Sequence, residues 1–136
     1  MRGRLLFKGH YIVYICQKMP AKLTTHVLDL ASGRPAEGMR LELWRHGSEG
    51  TATLVKTVAT NADGRTDAPL LGPGEITAGT YEIVFLVGEF YDKSGAAAKT
   101  RFLDRVPVRF GIGDAGASYH VPLLVTPWSY STYRGS

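Results

Sequence analysis

The segment YEIVFLV, residues 81–87, is the strongest strand signal in the chain. It is rich in β-branched and aromatic residues, and it directly follows Gly79-Thr80 in a glycine-rich turn region, a combination typical of a buried β-strand. A sheet that contains such a strand has an apolar face, which a second layer must cover. The segment therefore predicts a layered β-structure whose other strands lie on either side of it in the sequence.

Further strand signals do lie on both sides of this segment. Alternating or β-branched stretches predict strands over residues 23–30, 39–44, 53–60, 106–112 and 119–125, and the Tyr- and Ser-rich end of the chain is a candidate for one more. Residues 89–99 suit one short helix. Three prolines predict edges or bulges rather than central strands: Pro107, Pro122 and Pro127. We therefore predict an all-β fold, a two-sheet antiparallel sandwich of seven to eight short strands with one short helix.

The formal net charge of +4 is concentrated at the start of the chain. Four of the 16 basic residues and none of the 12 acidic ones lie within residues 1–18, which leaves residues 19–136 with 12 basic and 12 acidic side chains. Proteins that bind nucleic acids neutralise phosphates with clustered Lys and Arg. The neutral body of the chain therefore argues against a nucleic-acid partner.

Residues 1–18 are expected to form an N-terminal extension, and residues 19–136 the domain. The extension is basic first and apolar later, but Lys8-Gly9-His10 divides its apolar part into two short pieces and no small-x-small cleavage site follows. We expect a disordered segment that is either a mis-called start before Met19 or a leader. The expected location is the cytoplasm in the first case, and the periplasm or an organelle in the second.

Composition excludes several other kinds of site and partner. No apolar run approaches the roughly 20 residues that a membrane-spanning helix needs, so no membrane partner is predicted. The single cysteine, Cys16, lies in the extension and excludes an intramolecular disulfide. With no cysteine and only three histidines in residues 19–136, we predict no metal site.

The three histidines of the domain are candidate functional residues. His46 lies in a Gly- and Ser-rich turn, where a solvated histidine is expected. His26 and His120 each interrupt a predicted strand, and period-two alternation places His26 on one face with Thr24 and Leu28. Taken singly, each histidine is typical of an ordinary hydrogen-bonded residue on a sheet surface.

Arg65 is a fourth candidate, because it directly follows an Asp-Gly turn signal in the stretch NADGRTD. An ion pair with Asp63 or Asp67 would account for it without any function. Surface pairs of this kind contribute about 0–1 kcal/mol. Alone, Arg65 does not indicate a site.

Three stretches taken together resemble the transthyretin-like 5-hydroxyisourate hydrolases. They are LTTHVLDLASGRPAEGMRLELWR (23–45), TNADGRTDAPLL (60–71) and YHVPLLVTPWSYSTYRGS (119–136), and the resemblance covers residues 22–136 in order. The terminal Tyr-Arg-Gly-Ser marks the hydrolases and is absent from the hormone-carrying transthyretins, which also lack the matching histidines. Two positions depart from the family pattern: Ser118 stands in place of a histidine, and Trp128-Ser129 in place of Tyr-Gly.

The resemblance implies a fold, an activity and a set of residues. It implies a two-sheet sandwich assembled as a homotetramer, with sites in clefts between subunits, a small oxidised purine as substrate, and no metal or organic cofactor. The implied activity is the hydrolysis of 5-hydroxyisourate, the product of urate oxidation, to 2-oxo-4-hydroxy-4-carboxy-5-ureidoimidazoline. The implied catalytic residues are His26, Arg65, His120 and Ser136. The implied substrate contacts are His26, Arg65, Tyr133, Arg134 and Gly135.

These residue types suit the hydrolysis of a cyclic amide. An unperturbed histidine titrates at a pH of about 6.5, so it can take a proton from water and return it to the leaving nitrogen. An arginine remains charged and offers a planar fork for an imide-like edge or a developing oxyanion. The sequence does not decide which of His26 and His120 is the base.

Two other classes of function stay open at this point. A transthyretin-type carrier would bind a small aromatic ligand in the same channel, but it has no need of His26, His120 and a Tyr-Arg-Gly-Ser terminus together. A sandwich used for adhesion or protein interaction is the default for a chain without these motifs. The co-occurrence of the three motifs favours the hydrolase.

Overall fold

The computed structural model describes residues 2–8, 11–17, 20–95 and 100–136. Within these ranges the strands are β1 (Arg2–Lys8), β2 (Tyr11–Gln17), β3 (Leu23–Asp29), β4 (Arg34–Pro35), β5 (Arg40–His46), β6 (Ala52–Ala59), β7 (Gly79–Leu86), β8 (Arg105–Ile112), β9 (Tyr119–Val125) and β10 (Tyr130–Thr132). The helix α1 (Val87–Ser94) follows β7 directly, and a 3-10 turn occupies Ser48–Gly50.

Eight of these strands form two four-stranded sheets. The first sheet has the order β10-β9-β3-β4, and the second has the order β6-β5-β7-β8. Buried side chains from both sheets form one core, with Leu23, Val27 and Leu123 on the first sheet and Leu43 and Phe85 on the second. The predicted two-sheet β-sandwich with one short helix is confirmed.

One strand pair differs from the antiparallel prediction. β3 and β9 run parallel, with Thr24 opposite His120 and His26 opposite Pro122, whereas the other pairs among the described strands are antiparallel. Along β3 the odd-numbered residues are buried and the even-numbered ones are half-exposed, which confirms the predicted alternation. The register therefore places Thr24, His26 and His120 on the same outward face of the first sheet.

The helix differs from the predicted range of residues 89–99. It begins at Val87, because the buried end of β7 turns directly into it. It ends at Ser94, where Gly95 caps the C-terminus with a left-handed φ of 76°. Tyr91 anchors the helix to the core, since its buried hydroxyl lies 2.6 Å from Asp29 Oδ1 and 3.0 Å from the carbonyl of Val125. The rest of the predicted helix, residues 96–99, lies outside the described residues.

Two of the three proline predictions are confirmed and one is wrong. Pro107 lies on β8, an edge strand of the second sheet, and Pro127 lies in the turn before β10, an edge strand of the first sheet. Pro122 lies on β9, which is an internal strand. A proline is tolerated there because it has no N–H to donate and stands where the pairing with β10 has just ended, at Thr132 opposite Leu123.

The extension, which we expected to be disordered, contains β1 and β2. These two strands pair antiparallel in a two-stranded sheet of their own, with Arg2 opposite Gln17. Residues 1, 9, 10, 18 and 19 lie outside the described residues. The division of the chain at residue 19 stays a prediction. Among the helical residues of the described ranges, none forms a segment long and apolar enough to cross a membrane.

Candidate functional site

The outward face of the β3–β9 pair brings His26 and His120 together with Arg65 from the loop between β6 and β7. Both histidines are half-exposed on this face. The charges of Arg65 and His26 both act on the His120 imidazole, so the three groups are electrostatic neighbours. The structure thus unites three of the predicted site residues that are separated by up to 94 positions in the chain.

His120 is held on both edges of its imidazole ring. Nδ1 lies 2.8 Å from the hydroxyl Oγ1 of Thr24 on the neighbouring strand. On the opposite edge, Gly135 approaches so closely that a methyl group added to it would lie 2.5 Å from Cδ2 of the ring. Burial lowers the pKa of His120, and the charges of Arg65 and His26 lower it further. The ring is therefore neutral at pH 7.

His26 is oriented by the backbone of the same loop. Its Nε2 lies 2.9 Å from the carbonyl oxygen of Asp63. Since a carbonyl can only accept, Nε2 carries a proton and donates it to Asp63. The other ring nitrogen, Nδ1, has no hydrogen-bond partner within the described part of the chain and is the one available to a ligand.

The loop is shaped by the side chain of Asn61. Its Oδ1 accepts hydrogen bonds from the N–H groups of Asp63 (2.9 Å) and Arg65 (3.2 Å), and its Nδ2 donates to Asp67 Oδ1 at 3.0 Å. Asparagine commonly closes a turn in this way. The arrangement fixes the Asp63 carbonyl, which bonds His26, and the position from which the Arg65 side chain leaves the backbone.

Gly64 fastens the loop to β3. It has a left-handed φ of 74°, and its carbonyl accepts a 2.8 Å hydrogen bond from the N–H of Val27. A methyl group at this position would lie 2.3 Å from the Val27 carbonyl oxygen. Only glycine satisfies both the conformation and the close approach, so the Asp-Gly turn signal has a specific role beside His26.

The Arg65 side chain is exposed and uncommitted. Across the residues that the structure describes, its guanidinium makes no hydrogen bond and no ion pair. The expected pairing with Asp63 or Asp67 does not occur, because Asp67 instead accepts from Asn61. Arg65 lines an open cleft together with Lys22, Thr24 and Pro69. A cation without a protein partner at a cleft is suited to binding a polar or anionic ligand.

The end of the chain is an ordered part of the first sheet. After Thr132 the pairing with β9 is interrupted at Pro122, and it resumes in the same register where the Gly135 N–H donates to the His120 carbonyl at 2.8 Å. The Thr132 hydroxyl donates to the Pro122 carbonyl at 2.7 Å and spans the gap. The tail thereby lies against the His120 ring.

The other tail residues differ in their placement. The Arg134 guanidinium lies 4.4 Å from the centre of the Tyr119 ring and 3.5 Å from the carbonyl of Ser118. Arg134 therefore anchors the tail on the face of β9 opposite to His120, and its implied contact with the substrate stays a prediction. Tyr133 is 60% exposed, and Ser136 is exposed directly after Gly135.

Several residues of the site were not predicted from the sequence. Thr24 shares a face with His26 in the predicted alternation, but nothing in the sequence pairs it with His120. No sequence motif indicates how the Asp63 carbonyl and the Asn61 amide are placed, because their positions depend on the geometry of the loop. Ser118, noted only as a departure, accepts a 3.1 Å hydrogen bond from the Lys22 N–H and joins the starts of β3 and β9.

His46 differs from the solvated turn residue that we expected. It is the last residue of β5, paired with Thr80 and Ala52. Its half-buried ring lies with Nε2 3.6 Å from Glu82 Oε1. The strand extends past the predicted residue 44 because Arg45 and His46 also pair with β7. His46 therefore belongs to the second sheet and takes no part in the site. The described residues contain no group of three His, Cys, Asp or Glu side chains placed to hold a metal ion.

Comparison with known proteins agrees with this geometry. The model of the HIUase/Transthyretin family matches residues 23–135. The chain belongs to the HIUase/Transthyretin family. This match spans both sheets, the Arg65 loop and the tail as far as Gly135, so it covers every predicted site residue except Ser136.

Proteins that are similar to this chain have different functions in their names. A 5-hydroxyisourate hydrolase from Deinococcus radiodurans is 54% identical over 114 residues, which are 84% of this chain and 95% of the relative. A crystal structure of an (S)-allantoin synthase has a TM-score of 0.80 at 48% identity and covers 86% of this chain, but the chain spans only 45% of that protein. A transthyretin from Sparus aurata has a TM-score of 0.75 at 26% identity, covering 85% of this chain and 97% of that one. The fold alone does not separate these functions.

Replacing Gly135 with alanine tests whether the tail covers His120. The added methyl group collides with the ring, so we expect the tail to move away and the ring to become more exposed. Because burial is the main cause of the lowered pKa of His120, that pKa should rise towards its ordinary value. Titration of the His120 ring protons by NMR measures it.

Gly113→Ala is the matched control, since a methyl group at Gly113 meets no atom within 4 Å. It should leave the His120 titration unchanged. An unchanged titration in Gly135→Ala as well would show that the tail does not cover the ring.

Proposed function

We propose that this chain hydrolyses 5-hydroxyisourate to 2-oxo-4-hydroxy-4-carboxy-5-ureidoimidazoline, a step of urate degradation. The observation that carries the proposal is the convergence of an uncommitted Arg65, a neutral His120 and an oriented His26 on one sheet face beside the Gly135 tail. Relatives such as the one from Deinococcus radiodurans bear the name of this hydrolase. A transthyretin-type carrier needs no such group of proton-transfer residues.

We assign the role of general base to His120. Its lowered pKa keeps the ring unprotonated at neutral pH, which is the state that can accept a proton from water. Thr24 and the tail hold the two edges of the ring and leave Nε2 at the free end. Water that loses its proton to Nε2 attacks the carbonyl carbon of the cyclic amide.

Arg65 and the protonated His120 complete the reaction. The attack places negative charge on the carbonyl oxygen, and the Arg65 guanidinium stabilises this charge with its planar set of donors. When the C–N bond breaks, the imidazolium of His120 returns its proton to the leaving nitrogen. The products are a carboxylic acid and a free N–H group, and His120 is again neutral. At neutral pH the acid then releases its proton to solvent and becomes a carboxylate, so the cycle balances without a further reactant.

His26 and the tail are assigned to substrate placement. The Nδ1 atom of His26 faces the ligand, while its Nε2 is held by the Asp63 carbonyl. Tyr133 offers a flat ring and a phenol for a planar heterocycle, and Ser136 follows the residue that lies against His120. These roles of Tyr133 and Ser136, and that of Gly135 as a contact, remain predictions.

We further propose a homotetramer with sites between subunits. In one copy of the chain the face that carries His26 and His120 is open, and Tyr133 is largely exposed. A second copy placed on this face would exclude water from the cleft. The assembly and a cytoplasmic location both remain predictions.

The direct test is an absorbance assay on freshly generated 5-hydroxyisourate. The protein should accelerate the decay well above the spontaneous rate. Arg65→Gln keeps a polar side chain but shortens it and removes the charge that holds the oxyanion, so kcat should fall by about 10²–10³-fold. Decay no faster than the spontaneous rate with the native protein would favour the carrier.

Arg34→Gln is the matched control for Arg65→Gln. Arg34 is also an exposed arginine, on the short strand β4, and it lies outside the cleft. It should retain the native rate. Equal loss in both variants would mean that overall charge, rather than the position of Arg65, matters.

The pH dependence tests the role of His120. The neutral ring is the active form and its pKa lies below the ordinary value of 6.5, because of burial and the charges of Arg65 and His26. The value of kcat/KM, corrected for spontaneous decay, should rise as His120 loses its proton at a pH below 6.5. Above pH 6.5 it should level off. A rate that falls as pH increases from 6 to 7.5 would contradict a neutral histidine base.

A further inference from the structure

We propose that Thr24 is a positioning residue for this reaction, whose hydroxyl fixes the rotation and the tautomer of the His120 imidazole so that Nε2 carries the lone pair. The proposal rests on the proposed function for its catalytic consequence. The Thr24–His120 contact itself is independent of it.

The contact is set by the sheet. Thr24 and His120 are directly opposite in the parallel pairing of β3 and β9, and Oγ1 lies 2.8 Å from Nδ1. Both strands are internal to the first sheet. Neither residue can move relative to the other without breaking backbone hydrogen bonds, so the hydroxyl is pre-positioned before any substrate arrives.

The Thr24 hydroxyl is not used to hold the fold. Within the described ranges its one hydrogen bond is to the His120 ring. The neighbouring Thr25 differs, since its hydroxyl is buried and donates to the Val121 carbonyl at 2.7 Å. Valine would suit a strand at position 24 equally well, because it is β-branched and has the same shape as threonine. The polar atom at this position therefore serves the histidine.

The opposite edge of the His120 ring is also confined, so a single hydrogen bond is enough to fix the rotation of the ring. The backbone of Gly135 lies against Cδ2, so the ring is confined between Thr24 on one side and the tail on the other. Rotation of the ring by 180° would place carbon against the hydroxyl and lose the hydrogen bond. The hydroxyl and the glycine together select one rotation and leave Nε2 at the open end.

The tautomer follows from the role of the base. A neutral imidazole carries one proton, and Nε2 can accept a proton from water only if that proton sits on Nδ1. Thr24 Oγ1 then accepts the Nδ1–H. The same hydrogen bond strengthens when Nε2 takes the water proton and the ring becomes charged. Thr24 thus stabilises the imidazolium that forms during attack on the amide.

Three variants test the proposal kinetically. Thr24→Val removes the hydroxyl and keeps the shape, so kcat should fall by about 10- to 100-fold. KM should change by less than about twofold, because the residues assigned to substrate placement, His26 and Tyr133, are unchanged. Thr24→Ser restores the hydroxyl and should recover most of kcat. Thr25→Val removes the neighbouring hydroxyl on the opposite face and should lower the thermal midpoint without the selective loss of kcat.

A spectroscopic arm separates this proposal from the proposed function. In the 15N-labelled protein, the Nδ1 of His120 should show the chemical shift of a protonated ring nitrogen, and in Thr24→Val the two nitrogens should move towards the averaged shifts of mixed tautomers. An unchanged shift pattern, or an unchanged kcat in Thr24→Val, would overturn the proposal. If the native protein fails to hydrolyse 5-hydroxyisourate, the proposed function falls, and the NMR shifts alone then decide whether Thr24 fixes the tautomer.

Discussion

The parallel pairing of β3 and β9 is the constraint on which the rest of the site depends. It sets Thr24 opposite His120, residues 96 positions apart, and it places His26 one step further along the same face. A slip of one residue would turn the histidine of the slipped strand to the opposite face, into the core. The apolar residues of both strands that alternate with the histidines prevent this slip, because they fill the space between the sheets. Core packing thereby fixes the geometry of the polar face.

Two irregular segments complete the site by attaching to these strands through backbone contacts. The Arg65 loop is joined to β3 at Val27 and Gly64, and the tail is joined to β9 at His120 and Gly135. A single hydrogen bond of this kind contributes about 0.5–1.5 kcal/mol, so each attachment also relies on the close approach that glycine permits. Because neither attachment uses an ion pair with Arg65, the guanidinium remains available to a ligand.

Local sequence patterns were enough to predict much of the fold. Alternation along β3 identified the faces, and the segment at residues 81–87 identified the buried centre of the second sheet. The parallel pairing was not predicted, since the direction in which two distant strands pair depends on the path of the whole chain. The same reason explains Pro122, which is acceptable on an internal strand only because β10 leaves a gap beside it.

The candidate site was predicted from a resemblance, and its physical organisation came from the structure. The sequence identified His26, Arg65, His120 and the tail, but each of them alone is an ordinary residue. It did not indicate that the Arg134 guanidinium lies over the Tyr119 ring, because that contact depends on the pairing of the tail with β9. It could not distinguish the two histidines, because their difference arises from burial, from Thr24 and from Asp63, and all three depend on tertiary contacts.

The tail, residues 133–136, is bonded to the edge of the first sheet, but we expect it to matter more for the reaction than for stability. The most direct measurement is the rate of 5-hydroxyisourate hydrolysis by a chain that lacks residues 133–136, compared with its thermal midpoint. Since β10 ends at Thr132 and the core lies elsewhere, we expect a nearly unchanged midpoint and a loss of about a hundredfold or more in kcat/KM. A truncated protein that retains the native rate would contradict it.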